Sequence, residues 1–251
     1  MVGVKENTSL GKTTSASFGG PDGVCARQLP ESGRKITVPP KATIFIEDER
    51  KVAVYRLTQG IAAIFKKNGH GRKRIVGFAL PGDFLNSPFA DRHSCSVGAI
   101  SEIAAHQLPT EAFLGLLQAN PVSLNQMLEI TFRKINAAHE LELLLGRATA
   151  EERLVEFVIG WRARLGRKGA LANLVPLPMS RTDIADCLGL TIETVSRVLR
   201  KLEREKVLRV VPGGLQLMGP TERPLLFERS CMAAAPINEA IRLLRSGPAF
   251  G

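Results

Sequence analysis

Clustered cysteines are missing from this chain. Its four, Cys25, Cys95, Cys187 and Cys231, lie far apart with no C-x-x-C spacing. That removes a metal finger or a disulfide framework and leaves reduced thiols as the expected resting state. Long apolar runs are missing too, since none approaches the roughly 20 residues that a membrane-spanning helix needs, and no membrane partner is expected. The amino-terminal stretch MVGVKENTSLGKTTSASFGGPDG has no apolar export core, so a cytoplasmic protein is the expectation. His70, His93, His106 and His139 are scattered rather than grouped as metal ligands. With no nucleophile–base pair, no paired carboxylates and no metal spacing, the sequence gives an enzyme reading nothing to stand on, and no cofactor is expected.

What the chain has in excess is positive charge, a net +10 at neutral pH. Such an excess favours a polyanionic partner, nucleic acid or an anionic surface. Part of it is concentrated: residues 160–210 carry 11 Lys/Arg against 5 Asp/Glu.

The texture changes along the chain. Residues 1–28 are rich in Ser, Thr and Gly with few large apolar side chains, and read as disordered. From residue 29 to about 120, short apolar runs (ITV, TIFI, VAVYRL, IAAIF, IVGFAL, EIAAHQL) alternate with turn signals, which predicts an antiparallel β barrel or sandwich. KKNGHGRK between two of these runs reads as a hairpin tip. A short helix is expected over 110–118, ending near Asn120-Pro121.

A long helix is then expected over 121–146. Leu124, Leu128, Ile135, Ala138 and Leu145 fall on alternating steps of four and three, with Thr131 and Glu142 in the remaining seam positions. This is a heptad-like seam, and it serves either a helix packing on its own barrel or a parallel dimer helix. Thr149 with Glu152 forms a capping-box pattern that opens a new amphipathic helix in a unit spanning 147–218. Trp161 within it reads as core. GRKGALANLVPLP reads as a loop. The extension 219–251 has no assigned role.

The most informative stretch is RTDIADCLGLTIETVSRVLR, residues 181–200. Ser180 with Asp183 caps a first helix whose Ile184, Ala185 and Leu188 point inward. Gly189 sits where a tight turn needs a residue tolerant of positive φ, and Thr191 caps a second helix with Ile192, Val195, Leu199 and Leu202 as its apolar stripe. A small residue at the helix crossing, a turn glycine and two inward stripes together make the helix-turn-helix pattern.

The other face of the second helix then has a use. Arg197 matches guanine O6 and N7, Glu193 the cytosine N4 amino group, and Ser196 permits close approach to a base or phosphate. Arg200, Lys201 and Arg181 suit phosphates, and Thr191 sits at the helix start beside them. KVLRVV–PGG–LQLM reads as two strands around a turn, making the unit a winged helix. Symmetric DNA sites call for symmetric proteins, which favours the dimer reading of the long helix.

At these residues the chain resembles the CRP/FNR superfamily of bacterial transcription regulators, over about residues 30–218. LTIETVSRVLRKLE, AEERLVEFV and PGDF carry the resemblance. It implies an α+β protein: an N-terminal β-roll of the cyclic-nucleotide-binding jelly-roll type, a long dimerisation helix and a C-terminal winged helix-turn-helix. It also implies a homodimer on double-stranded DNA that activates by touching RNA polymerase.

IETVSR resembles the FNR/FixK version of the reading helix, and by that resemblance Glu193, Ser196 and Arg197 read a TTGAT-type half-site. Cyclic-nucleotide binders carry a phosphate cassette of the form F-G-E-x-A-L followed by R-S/T-A. Here GDFLNSPFADRHSCSVGA has Asn86 near the expected Glu and Arg92 out of register. The amino-terminal cysteine group that holds an iron–sulfur cluster in oxygen-sensing members is absent, with Cys25 alone there. What remains resembles the FixK group, which acts in low-oxygen and nitrogen-oxide regulation. The alternative is a regulator gated by a small effector in the roll.

Cys187, close to the reading helix, is expected to be either a redox switch, with Arg181 stabilising its thiolate, or a small buried helix-end residue.

Overall fold

The computed structural model describes residues 33–67, 69, 71, 73–166 and 173–218; the expectations for 1–28 and 219–251 lie outside the described residues. Seven strands, β1 (Arg34–Val38), β2 (Thr43–Phe45), β3 (Ala53–Gln59), β4 (Ala62–Lys67), β5 (Lys73–Ala79), β6 (Ser96–Ala99) and β7 (Ile103–Pro109), come first. They form two antiparallel sheets, in the orders β1-β7-β3 and β2-β6-β4-β5. The fold is the expected α+β arrangement with a β-roll at its amino-terminal end.

Alternation explains the roll. Ala53, Tyr55 and Leu57 of β3 point between the sheets, onto Phe45, Val97, Ile103 and Ala105. Val54, on the opposite face of β3, packs with Leu108 against Phe113 and Leu117 of helix α1 (Thr110–Ala119) and Met127 of helix α2 (Pro121–Arg147). One strand therefore serves two cores, and each is continuous with the next element of the chain. Strand β6 lies inside the loop-like segment GDFLNSPFADRHSCSVGA, where its Ser, Gly and Ala residues hid it. KKNGHGRK joins β4 to β5, which pair from Ala62↔Ala79 to Lys67↔Lys73.

Asn120 starts α2 by accepting from the Val122 and Ser123 N–H groups, with Pro121 in the first turn, where its missing N–H costs nothing. On the inner side of α2, the Lys134 ammonium turns back to the roll and donates to the Phe84 carbonyl (2.7 Å), and burial pulls its pKa down. Among the described residues no helix is long and apolar enough to cross a membrane.

The carboxyl-terminal unit contains α3 (Ala150–Leu165), β8 (Leu174–Pro176), α4 (Arg181–Leu188), α5 (Ile192–Arg204), β9 (Leu208–Val211) and β10 (Gly214–Leu217). Thr149 and Glu152 form the expected capping box. The three strands make a small antiparallel sheet, β8-β10-β9. Strand β8 corrects the reading of GRKGALANLVPLP as loop. Its prolines suppress a strand signal, yet Pro176 stands at the strand end, where a missing N–H is tolerated. Gly214 is required there, because a Cβ would lie 2.4 Å from the Val175 carbonyl oxygen.

The two units share a core. Ile75 and Phe78 of β5 pack with Leu154, Phe157 and Trp161 of α3 and with Cys187 and Leu188 of α4. Trp161 stacks on Phe157 (6.4 Å, 10°), meets the Phe78 edge (6.0 Å), and donates its indole N–H to the Pro176 carbonyl (2.8 Å). Polar ties reinforce the contact. The Asp186 carboxylate accepts from the Ile75 N–H (2.9 Å), and Arg164 donates to the Phe78 carbonyl (2.8 Å) and to Asp83 (2.7 Å).

Cys187 belongs to this core and is only 2% exposed. Burial, with the Asp186 carboxylate adding and Arg74 opposing, pushes its thiol up to about 12. The redox-switch reading is corrected accordingly: the sulfur is neither accessible nor ionised, and Arg74 rather than Arg181 is the cation acting on it. A thiol is a poor target for peroxide, because the thiolate is the nucleophile.

Two outcomes follow from this core. In urea titrations, Trp161→Ala should cost about 3–5 kcal/mol, and Trp161→Phe about 1–3 kcal/mol through the orphaned Pro176 carbonyl; a negligible cost for Trp161→Phe would deny the indole hydrogen bond any role. Under mild peroxide, mass spectrometry of the folded protein should leave Cys187 reduced, and sulfenate at that residue would contradict its placement.

Candidate nucleic-acid interface

The helix-turn-helix is assembled from local signals. Ser180 and Asp183 cap α4 reciprocally: the Asp183 N–H donates to Ser180 Oγ (3.1 Å) and the Ser180 N–H to Asp183 Oδ2 (2.9 Å). Gly189 ends α4 with φ 62° and ψ 38°, in the left-handed region that an L side chain enters only with strain. Leu190, half-buried, donates its N–H back to the Ala185 carbonyl (2.9 Å), fixing the turn. Thr191 caps α5 by accepting from the Thr194 N–H (3.2 Å).

Val195, Val198, Leu199 and Leu202 fasten α5 to the core. Ile192 does not join them: it is 42% exposed, which corrects its place in the apolar stripe. As the first residue of the helix, it stands beyond the edge of that core.

Glu193, Arg197 and Arg200 are exposed on the outer face of α5, with Ser196 half-buried between them. Arg181, at the start of α4, donates to Ser196 Oγ (3.2 Å) and so joins the two helices on this face. Arg197 reaches Thr194 Oγ1 (3.5 Å), and Arg200 Nε lies over the Ser196 carbonyl (3.3 Å), both weak contacts that leave most guanidinium donors available. The carboxyl of Glu193 is held below the usual range by its own backbone N–H and by the Thr191 side chain, so it is an acceptor at neutral pH.

Lys201 differs from expectation. Its ammonium pairs with Glu151 of α3, with Glu205 farther off, so it braces α5 from behind instead of facing out with Arg200. The wing is tied to the same helix, the Val210 N–H donating to Glu203 (3.0 Å).

No local signal in the sequence singles out Arg153 of α3. Its guanidinium donates to the carbonyls of Leu145 (2.8 Å), Ala148 (3.0 Å) and Leu188 (3.2 Å). It thereby joins the end of α2, the α2–α3 linker and the end of α4 at one point. A planar fork with five donors suits this task, and a lysine ammonium does not.

The seam of α2 divides between faces. Leu124, Leu128 and Ile135 are exposed, as are Ala138 and, beside them, Val122, Phe132 and Leu143. Leu145 is half-buried and faces the turn at Gly189. Thr131 donates its hydroxyl to the Met127 carbonyl (2.8 Å) within the helix. The apolar stripe on the free face therefore keeps the predicted seam except Leu145 and is widened by Phe132 and Leu143.

In the roll, Asn86 and Arg92 are engaged in the fold itself. Asn86 accepts from the Tyr55 N–H (3.4 Å) and donates to the Ala53 carbonyl (2.9 Å), while Arg92 donates to the Asp48 carbonyl.

Comparison with known proteins agrees with this architecture. The pattern described as "Bacterial regulatory proteins, crp family" matches residues 177–208, and "Cyclic nucleotide-binding domain" matches residues 35–120. The chain is 44% identical over 181 residues to the transcriptional activatory protein AadR of Rhodopseudomonas palustris, covering 72% of this chain and 76% of that one. It is 38% identical over 207 residues to the nitrogen fixation regulation protein FixK of Bradyrhizobium diazoefficiens, covering 82% and 87%. The solved structure of FixK2 from Bradyrhizobium japonicum superposes with a TM-score of 0.71 at 26% identity, covering 87% of this chain and all of that one. A shared roll, long helix and winged helix, with this level of identity across them, place the chain in the CRP/FNR family of bacterial regulatory proteins, in its FixK-like branch.

Proposed function

We infer that this chain is a sequence-specific DNA-binding transcription regulator, acting as an activator and not as an enzyme. The observation that carries the reading is the outer face of α5. A carboxylate, a hydroxyl and two guanidinium groups stand there on a helix whose other side is locked in a core. A helix so presented fits the major groove with its N-terminal half near base edges. In this reading Arg197 donates to guanine, Glu193 accepts from cytosine and Ser196 allows the approach. Arg181 and Arg200 take phosphates, Thr191 lies near the backbone at the helix start, and exposed Ile192 offers apolar surface to a thymine methyl.

We assign 33–120 to the roll, α2 to dimerisation, and the unit from α3 to β10 to DNA. The apolar stripe of α2, with Leu124, Leu128, Phe132 and Ile135 open to solvent, supports a homodimer through that helix, and a parallel pair would set two reading helices about 34 Å apart on successive major grooves. The target is a TTGAT-N4-ATCAA-like palindrome, as the FNR/FixK form of IETVSR implies, and the resemblance to the FixK group implies a role in low-oxygen or nitrogen-oxide control. RNA polymerase is the partner that activation requires, and the cytoplasm is where both are met.

The commitment of Asn86 and Arg92 to backbone groups of the roll favours this reading over cyclic-nucleotide gating.

A gel-shift with the palindromic duplex, a single half-site and single-base variants tests the reading. The palindrome should bind far more tightly than the half-site. Arg197→Ala should lose about 1–3 kcal/mol and relax preference at the guanine position. Equal weakening on every duplex would make Arg197 a phosphate contact instead.

A further inference from the structure

The turn between α4 and α5 is touched by a residue from the roll. A Cβ built on Gly189 would lie 3.6 Å from Arg74 Nη2 and 3.7 Å from Arg153 Nη1, so two guanidinium groups converge on the carboxyl-terminal end of α4. The end of a helix attracts cations, because its last carbonyls are unpaired. Arg153 meets this demand at the Leu188 carbonyl and spends its other donors on Leu145 and Ala148, so its own hydrogen bonding is satisfied.

Arg74 is exposed and makes no hydrogen bond or ion pair among the described residues. Asp186, whose Oδ2 accepts from the adjacent Ile75 N–H, makes no ion pair with Arg74. The next cations along the hairpin are placed elsewhere. Lys66 pairs with Glu47 (3.4 Å), and Lys73 lies over the Phe65 ring (4.4 Å). A second guanidinium beside an already satisfied one is a like-charge arrangement that an anion from outside would relieve.

Gly189 lies two residues before Thr191, the cap of the helix that enters the groove in the reading above. We propose that Arg74, on roll strand β5, binds a phosphate of the DNA backbone at the rim of the groove that α5 reads. The roll is then part of the DNA interface itself. The contact crosses from one unit to the other, and it is available only while β5 and α4 stay joined. The proposal rests on the reading of α5 as the DNA-reading helix.

The test is fluorescence anisotropy with the full-length protein and the palindromic duplex over a series of salt concentrations. Each lost phosphate contact should make the slope of log K against log[salt] shallower by about 0.9, hence about 1.8 for the two protomers of a dimer. Arg74→Ala and Arg74→Gln should both show this change, weaken cognate and variant duplexes alike, and melt at the wild-type temperature. Arg74→Lys should keep the wild-type slope. A wild-type slope in both neutral variants, with Arg197→Ala still losing base preference, overturns the proposal and leaves the reading of α5 intact. If the wild-type protein prefers no duplex over any other, the reading of α5 falls and takes the proposal with it.

Discussion

Strand β5 is an edge of its sheet, and the N–H of Ile75 finds its acceptor in the Asp186 carboxylate of α4, 2.9 Å away, instead of in a neighbouring strand. An unpaired buried amide costs about 1–3 kcal/mol, and an open edge invites pairing with other chains. The first helix of the helix-turn-helix resolves both by covering that edge. Two further ties accompany it: Arg164 holds α3 to the Phe78 carbonyl, and Arg153 holds the end of α4 to the end of α2. All three ties end on main-chain groups, so they fix where the backbones lie relative to each other. The apolar contact of Phe78, Phe157 and Trp161 supplies the burial.

The outer face of α5 inherits its position from this joint. Helix α5 is held by Val195, Val198, Leu199 and Leu202, by Lys201 on Glu151 behind it, and by Arg181 on Ser196 in front. A small rotation of α4 on β5 would therefore carry Glu193 and Arg197 with it. Base readout of the kind proposed depends on placement at hydrogen-bond tolerance, and these ties from α4 to β5 are what hold that face in place. The same joint encloses Cys187, whose position near the reading helix invites a redox reading that its burial removes.

Much of this was legible in the sequence because the signals are local. The capping boxes at Thr149/Glu152 and Ser180/Asp183, the left-handed glycine at 189 and the cap at Thr191 are each decided by residues within one turn of each other. The missed features are those decided by distant partners or by weak local signals. Asp186 and Ile75 are 111 residues apart, and nothing near either announces the other. Cys187 is buried by Gly77 and Phe78 of the roll as well as by Trp161 of its own unit. Strand β6 is made of small residues and β8 of prolines and their neighbours, so neither alternates strongly. On α2 the seam was legible as far as Ala138, since Leu124, Leu128 and Ile135 stand on the free face while the roll claims Met127; its end was not, since the turn claims Leu145 and leaves Phe132 and Leu143 free. Ile192 follows the same logic: its spacing matches the inward stripe, but the core stops one turn short of it.

Hydrogen exchange at the Ile75 amide tests most directly whether β5 and α4 form one joint. If they do, Ile75 exchanges as slowly as the Ile184 and Val195 amides of the helix-turn-helix, and Asp186→Ala speeds all three together. Fast exchange at Ile75 in the wild-type protein, or an Asp186→Ala effect confined to that amide, would mean that the winged helix is placed without the roll.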